Sequence, residues 1–263
     1  MRTKLVVGNW KMNLSLAASA AAVETFVNHV DARSDVDVVI CPPYLSIAKV
    51  HDLLRNTHIK VGAQDVFWME SGAFTGKVSA AMLYDNGVSY CIVGHSETRG
   101  KFGKLEVAES TVPFFAETDE TVNLKIKALL FHSINPILCV GETAEERSEG
   151  KTDEVIQTQI RGAFAGLEPA ELYLSSVAYE PVWAIGTGNT CDAAEAERVC
   201  GMIRATLAET LDEDVAQNVR VLYGGSVKSA NANELFSQPN IDGGLVGGAS
   251  LDPLEFSRIV MSA

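Results

Sequence analysis

Residues 176–188, SVAYEPVWAIGTG, join two pieces of opposite character. The first four form a short run with the near-continuous apolar character of a strand covered on both faces. The run ends in a carboxylate, Glu180, and Pro181-Val182-Trp183 then stiffens the chain. A small-residue tip, Ala184-Ile185-Gly186, and a second pivot at Thr187-Gly188 follow. Proline fixes φ and glycine frees it, so 181–189 reads as a stiff lid on two pivots beside a potential base. An ordinary strand–loop–helix connection that opens on an exposed glutamate fits these residues equally well. The surrounding chain decides between them.

Runs of the same kind recur at 5–7, 36–40, 59–61, 90–93, 136–140, 219–223 and 244–246. Helical patterns lie between them, clearest at 16–30, 120–131, 145–165 and 193–211, with Asp192 and Ser229 placed as N-caps. Ser34 and Gly166 stand where helices should already have ended. Strand and helix alternate eight times without a linker or a break in composition. That pattern predicts an α/β fold, a closed (β/α)8 barrel forming a single domain over 1–263. A doubly wound open sheet is the alternative, but no GxGxxG follows the first strand.

Gross composition narrows the partners. The 263 residues are 47% hydrophobic with a net charge of −13, which argues against nucleic acid or an anionic membrane as a partner. No apolar run reaches the ~18 residues of a membrane span, and the N-terminus carries no secretory h-region. The five cysteines are odd in number and form no CxxC pair. A reducing, cytoplasmic setting therefore fits better than a disulfide framework, and His and Cys show no metal-ligand spacing. Neither a metal nor a cofactor is expected.

In a (β/α)8 barrel the active site lies at the C-terminal ends of the strands. The residues there are Asn9 and Lys11, Gln64, His95 and Glu97, Glu180, Tyr223-Gly224-Gly225-Ser226, and Gly247-Gly248. Glycine turns after the last two strands let backbone N–H groups converge on a phosphate, though tight packing at the rim also asks for glycine. Neutral N–H donors suit a dianion held by an acidic chain. His95 follows its strand directly. A helix starting at Ser96 would favour the neutral ring, a donor that brings no cation. His29, His51, His58 and His132 fall on helices or in turns and read as packed or surface histidines. Lys11 has Glu97 as its expected partner. A base, a neutral hydrogen-bond donor, a cation and a phosphate grip together suit proton abstraction beside a carbonyl, through an enediolate.

GNWKMN (8–13), GAFTG (72–76), GHSE (94–97), ETDETVN (117–123), AYEPVWAIGTG (178–188), YGGSV (223–227) and LVGGASL (245–251) resemble the triosephosphate isomerase family, in order and along the whole chain. The resemblance implies the TIM barrel fold and the interconversion of dihydroxyacetone phosphate and D-glyceraldehyde 3-phosphate. It implies Glu180 as the proton shuttle, His95 polarising the carbonyl, and Lys11 and Asn9 stabilising the oxyanion, with Glu97 beside Lys11. Backbone N–H groups of Gly186, Ser226, Gly247 and Gly248 would bind the phosphate, Gly186 arriving as the lid closes. Cys139 matches a family cysteine near the site, read here as packing. Arg204 and Asp242 match a pair that supports the later strands. A homodimer is implied, with loop 72–77 reaching the partner subunit's 9–11 region.

The departures concern the surroundings. The family has GHSERR followed closely by YFAETDE, whereas here about thirteen residues, roughly 100–112, intervene. They are expected to form an ordered surface excursion in which Phe102, Leu105 and Val107 pack. Lys77 replaces a glutamate and Thr98 an arginine, two positions that pair across the family's dimer interface. Asn189 stands where lysine is common after the lid. Another phosphate-binding barrel, such as a phosphosugar or amino-acid-pathway isomerase, is disfavoured by the intact EPVWAIGTG. A non-catalytic phosphometabolite-binding or scaffold protein is disfavoured because Asn9, Lys11, His95, Glu97 and Glu180 all survive.

Overall fold

The apolar runs become eight parallel strands that close on themselves in chain order: β1 Lys4–Asn9, β2 Val36–Cys41, β3 Lys60–Ala63, β4 Tyr90–Val93, β5 Asn135–Val140, β6 Ser176–Tyr179, β7 Arg220–Tyr223 and β8 Gly243–Val246. This is a computed structural model, and it describes residues 2–30, 35–102, 107–187 and 191–263. Ser34, Leu105, Gly188 and Asn189 lie outside the described residues.

The ring closes where β1 meets β8, from Leu5 opposite Gly243 to Gly8 opposite Val246. Glycine is required there. A Cβ on Gly243 would sit 2.0 Å from the Leu5 carbonyl oxygen, and its φ of +135° excludes side chains in any case. The strands are mostly apolar because each feeds two cores, with charged or polar residues such as Lys4, Asp37, Lys60 and Arg220 at or near their starts. Leu5, Val7, Val39, Cys41, Tyr90, Ile92, Ile137, Cys139, Ala178, Leu222 and Leu245 fill the barrel. Alternate residues such as Val6, Val38, Cys91, Leu138 and Val221 face outward beneath the helices. Cys139 is thus a filler of the barrel interior.

The helical layer comprises α1 Leu16–Val30, α2 Ile47–Leu54, α3 Ala80–Asp85, α4 Asp119–Phe131, α5 Ala144–Ser148, α6 Thr152–Ala163, α7 Ala193–Thr210, α8 Glu213–Asn218, α9 Ser229–Phe236 and α10 Pro253–Met261. Asp192 caps α7, accepting the Glu195 N–H at 2.8 Å. Ser229 is not a cap. Lys228 holds that position, and Ser229 turns its N–H and hydroxyl to Glu255 at 2.8 and 3.0 Å. The single helix expected over 145–165 is two, because Gly150 takes a φ of +71° between α5 and α6.

At the N-terminal mouth of the barrel, Arg204 donates to Asp242 at 2.6 Å and to the Val219 carbonyl at 3.1 Å. Asp242 in turn accepts the Val221 N–H at 2.9 Å. The pair therefore ties α7 to β7 and β8, as the resemblance implies.

The described part of 100–112 lies at the surface and runs into a 3₁₀ turn, Glu109–Phe115. Phe102 meets Phe115 edge to face at 5.6 Å. Val107 does not pack as expected. It is exposed, as is Phe114 at 87%.

Candidate active site

A strand covered on both faces leaves only its end free for polar work, and in a parallel barrel all such ends share one rim. Asn9 ends β1, His95 follows β4 by one residue past Gly94, Glu180 follows β6, Gly224–Ser226 follow β7 and Gly247–Gly248 follow β8. Together they line a cleft of about 680 Å³, to which the segment after Glu180 contributes Ala184, Ile185 and Gly186. Of the expected residues, Asn9, Lys11, His95, Glu180, Gly186, Ser226, Gly247 and Gly248 all face it. Glu97 does not line it but meets the Lys11 ammonium at 2.5 Å.

Glu180 is 2% exposed and both its oxygens are engaged. Oε2 accepts the Ser96 N–H at 2.9 Å, and Oε1 lies 2.8 Å from His95 Nε2. The Glu97 N–H points at His95 Nδ1, 3.2 Å away. A ring proton on Nε2 therefore faces the carboxylate.

The helix expected at Ser96 is instead a turn, in which His95 O accepts from Thr98 N at 2.9 Å and Ser96 O from Lys101 N at 2.9 Å. No helix dipole lowers the imidazole. Burial pulls its pKa down, but attraction and hydrogen bonding from Glu180 outweigh burial and leave it raised. For Glu180 burial pushes up, while His95 and the Ser96 N–H hold its pKa below the ordinary carboxylate value. The resting pair is thus an engaged one, and anything inserted between the two groups removes the cause of both shifts.

Lys11 takes a left-handed φ of +51°, which costs a non-glycine residue about 1–2 kcal/mol. Two contacts hold it there, and a third fixes Gln64 itself. Asn9 Oδ1 accepts the Lys11 N–H at 3.0 Å, and the Gln64 amide donates to both Lys11 O and Cys41 O at 2.9 Å. In the sequence Gln64 shows only as another polar strand end. Its partners, 53 and 23 residues away, give it a purpose.

The segment around Trp183 has a network that sequence reasoning missed. Glu142 is buried, and its Oε1 accepts from Trp183 Nε1 at 2.9 Å and from the Tyr179 hydroxyl at 3.2 Å. Its Oε2 has no hydrogen-bond partner among the described residues. Burial pushes the Glu142 pKa up despite the donors around it. Arg147 stacks over the Trp183 ring at 4.4 Å and donates to Glu142 at 3.3 Å and to Glu195 at 3.0 Å. The EPVW and GET motifs carry no sign in the sequence that they meet.

Lys77 lies 5.7 Å from the Phe67 ring centre. The Thr98 hydroxyl is within hydrogen-bond distance of His95 O, 2.8 Å, and Glu117 Oε2, 2.6 Å.

A sequence model of the triosephosphate isomerase family matches residues 4–263. Among curated relatives bearing the name triosephosphate isomerase, one from Dictyoglomus thermophilum is 43% identical over all of both chains. One from Roseiflexus sp. is 45% identical over 99% of this chain and 97% of its own. A third, from Acetivibrio thermocellus, is 44% identical over 98% and 97%. With a closed eight-stranded barrel, a cleft built from its strand ends and relatives matched over their full length, the chain belongs to the triosephosphate isomerase family.

Proposed function

We propose that Glu180 is the base with which this chain, acting as one domain over 1–263, interconverts dihydroxyacetone phosphate and D-glyceraldehyde 3-phosphate. The enzyme is an isomerase of glycolysis and gluconeogenesis. The reading is supported above all by the opposition of Glu180 Oε1 and His95 Nε2 at 2.8 Å in a cleft that also holds Lys11 and two glycine turns. The family is itself a standard example of a glutamate base working with a neutral histidine under a closing lid.

Substrate enters between Glu180 and His95. The carboxylate gives up its contact with Nε2–H and takes the C1 proton of dihydroxyacetone phosphate. The Nε2–H then hydrogen-bonds the C2 oxygen as charge develops there, and the Lys11 ammonium, with Asn9 at its base, stabilises the enediolate. The His95 ring gives its Nε2 proton to O2 and takes the hydroxyl proton from O1, and Glu180 returns the carbon proton to C2, which leaves the aldehyde at C1 and the hydroxyl at C2. The phosphate is gripped by N–H groups of Ser226, Gly247 and Gly248, with Gly186 added when the lid closes and excludes the water in which an enediolate phosphate eliminates. Base, acid and anion grip are all protein groups, so the reading calls for no metal and no cofactor.

The chain is read as a homodimer in which loop 72–77 reaches the partner subunit. Met12, Leu45 and Phe74, which follow β1, β2 and β3 at one rim, are exposed at 97%, 93% and 40%, as an interface would ask. A cytoplasmic setting is supported by five free cysteines.

The test is conversion of glyceraldehyde 3-phosphate by the wild type and by Glu180→Gln. A loss of at least ~10³-fold is expected, since a positioned general base alone contributes about 10²–10⁴. Turnover unchanged in the variant would remove Glu180 from its role.

A further inference from the structure

We propose that Lys101, at the head of the 100–112 segment, is a positioning residue that braces α5 and through it the base of the lid. The proposal rests on the reading of Glu180 and the lid given above. The Lys101 N–H donates to Ser96 O at 2.9 Å, and the Ser96 N–H is the donor that holds Glu180. Lys101 is therefore fixed to the rear of the turn that supports the base. Its ammonium spans to both oxygens of Glu146, at 2.9 and 3.2 Å, across 45 residues of chain.

Glu146 is not a free surface carboxylate. It closes the capping box of α5, accepting the Thr143 N–H at 2.7 Å, so a pull on it is a pull on the helix. With five residues, α5 is too short to keep an orientation by its own hydrogen bonds, and its outside contacts set it. The next residue, Arg147, faces the opposite task. Its guanidinium stacks on Trp183 in the first turn of the lid and donates to Glu195 in the first turn of α7, beyond the lid. One short helix thus links the His95 turn, through Lys101, to the chain on both sides of the lid. An ion pair with both side chains about a quarter exposed contributes little to global stability, so its removal acts on orientation more than on folding.

The experiment uses the full chain and three variants. Lys101→Met keeps the stem and loses the charge, Lys101→Arg keeps the charge, and Glu146→Gln keeps the cap acceptor while losing the ion pair. Steady-state kinetics are combined with fluorine NMR of protein labelled with 5-fluorotryptophan. The Trp183 signal is assigned with Trp183→Phe, and Trp10 and Trp68 serve as internal references. Lys101→Met and Glu146→Gln are expected to lower kcat by roughly 3- to 10-fold, the scale of couplings remote from the chemistry. They should shift or broaden the Trp183 signal alone and move Tm by less than about 4 °C. Lys101→Arg should restore both readouts. Wild-type kcat with an unmoved Trp183 signal in Lys101→Met overturns the proposal, and so does a loss of activity that follows Tm or that arginine does not repair. A failure of the functional reading is distinct, because the wild type would then lack isomerase activity while the NMR comparison still reported on the brace.

Discussion

Replacing Gly141 with alanine should displace Glu180 along the backbone while leaving its carboxyl chemistry intact. A Cβ at this position would stand 1.8 Å from the Glu180 carbonyl oxygen and 2.7 Å from its carbon, whereas real contacts stop near 3.0 Å, so the two must part by about 1.2 Å. Gly141 has no room to retreat. Its N–H is held by Gln159 Oε1 at 2.8 Å and its carbonyl by Gln159 Nε2 at 3.2 Å. The shift therefore falls on Glu180, whose own N–H is tied to Val140 O at 2.8 Å. A misplacement of about 1 Å costs on the order of 10²-fold in rate, or about 2.7 kcal/mol of barrier. Overpacking costs about 1–3 kcal/mol, within the usual stability of about 5–15 kcal/mol, so the variant should remain folded. Steady-state kinetics with glyceraldehyde 3-phosphate should show kcat down about 10²-fold. The inhibition constant of inorganic phosphate should scarcely change, since the anion grip hangs on β7 and β8. A folded variant with kcat within about threefold of wild type would refute the claim that this close approach sets the base.

Two further outcomes are expected. The Glu142 pKa is raised by burial, so the folded state prefers the protonated carboxyl, and stability is lost as pH rises from the ordinary carboxylate range through the raised value. Glu142→Gln cannot ionise, so melting curves should shift in the variant's favour relative to wild type between pH 4 and pH 8. A pH-independent difference would contradict this. Sedimentation at micromolar concentration should show a dimer, and monomer alone would discard the homodimer reading.

Features that depend on neighbouring residues are legible in the sequence. A strand covered on both faces announces itself by a continuous apolar run, and two of the expected strands, 90–93 and 176–179, have the observed limits. The split at Gly150 is not legible, because a glycine in a helical pattern is compatible with both continuation and a left-handed stop, and packing chooses between them. The turn after His95 departs from expectation for a related reason. Ser96-Glu97 suits a helix start, yet the chain there must offer N–H groups to Glu180 and to His95 Nδ1, a demand set by another strand.

What the sequence by itself determined is therefore the list of chemical groups and the rim on which they stand, because period, proline and glycine act over a few residues. The tertiary structure decided which groups touch. Glu180 meets Ser96 across 84 residues, Trp183 meets Glu142 across 41 and Lys101 meets Glu146 across 45. Those distances along the chain collapse because β4, β5 and β6 lie side by side in the barrel. The direction of the His95 pKa, opposite to that expected from the sequence, follows from the same arrangement of strands: a charge 2.8 Å away in a buried site outweighs anything the local sequence supplies.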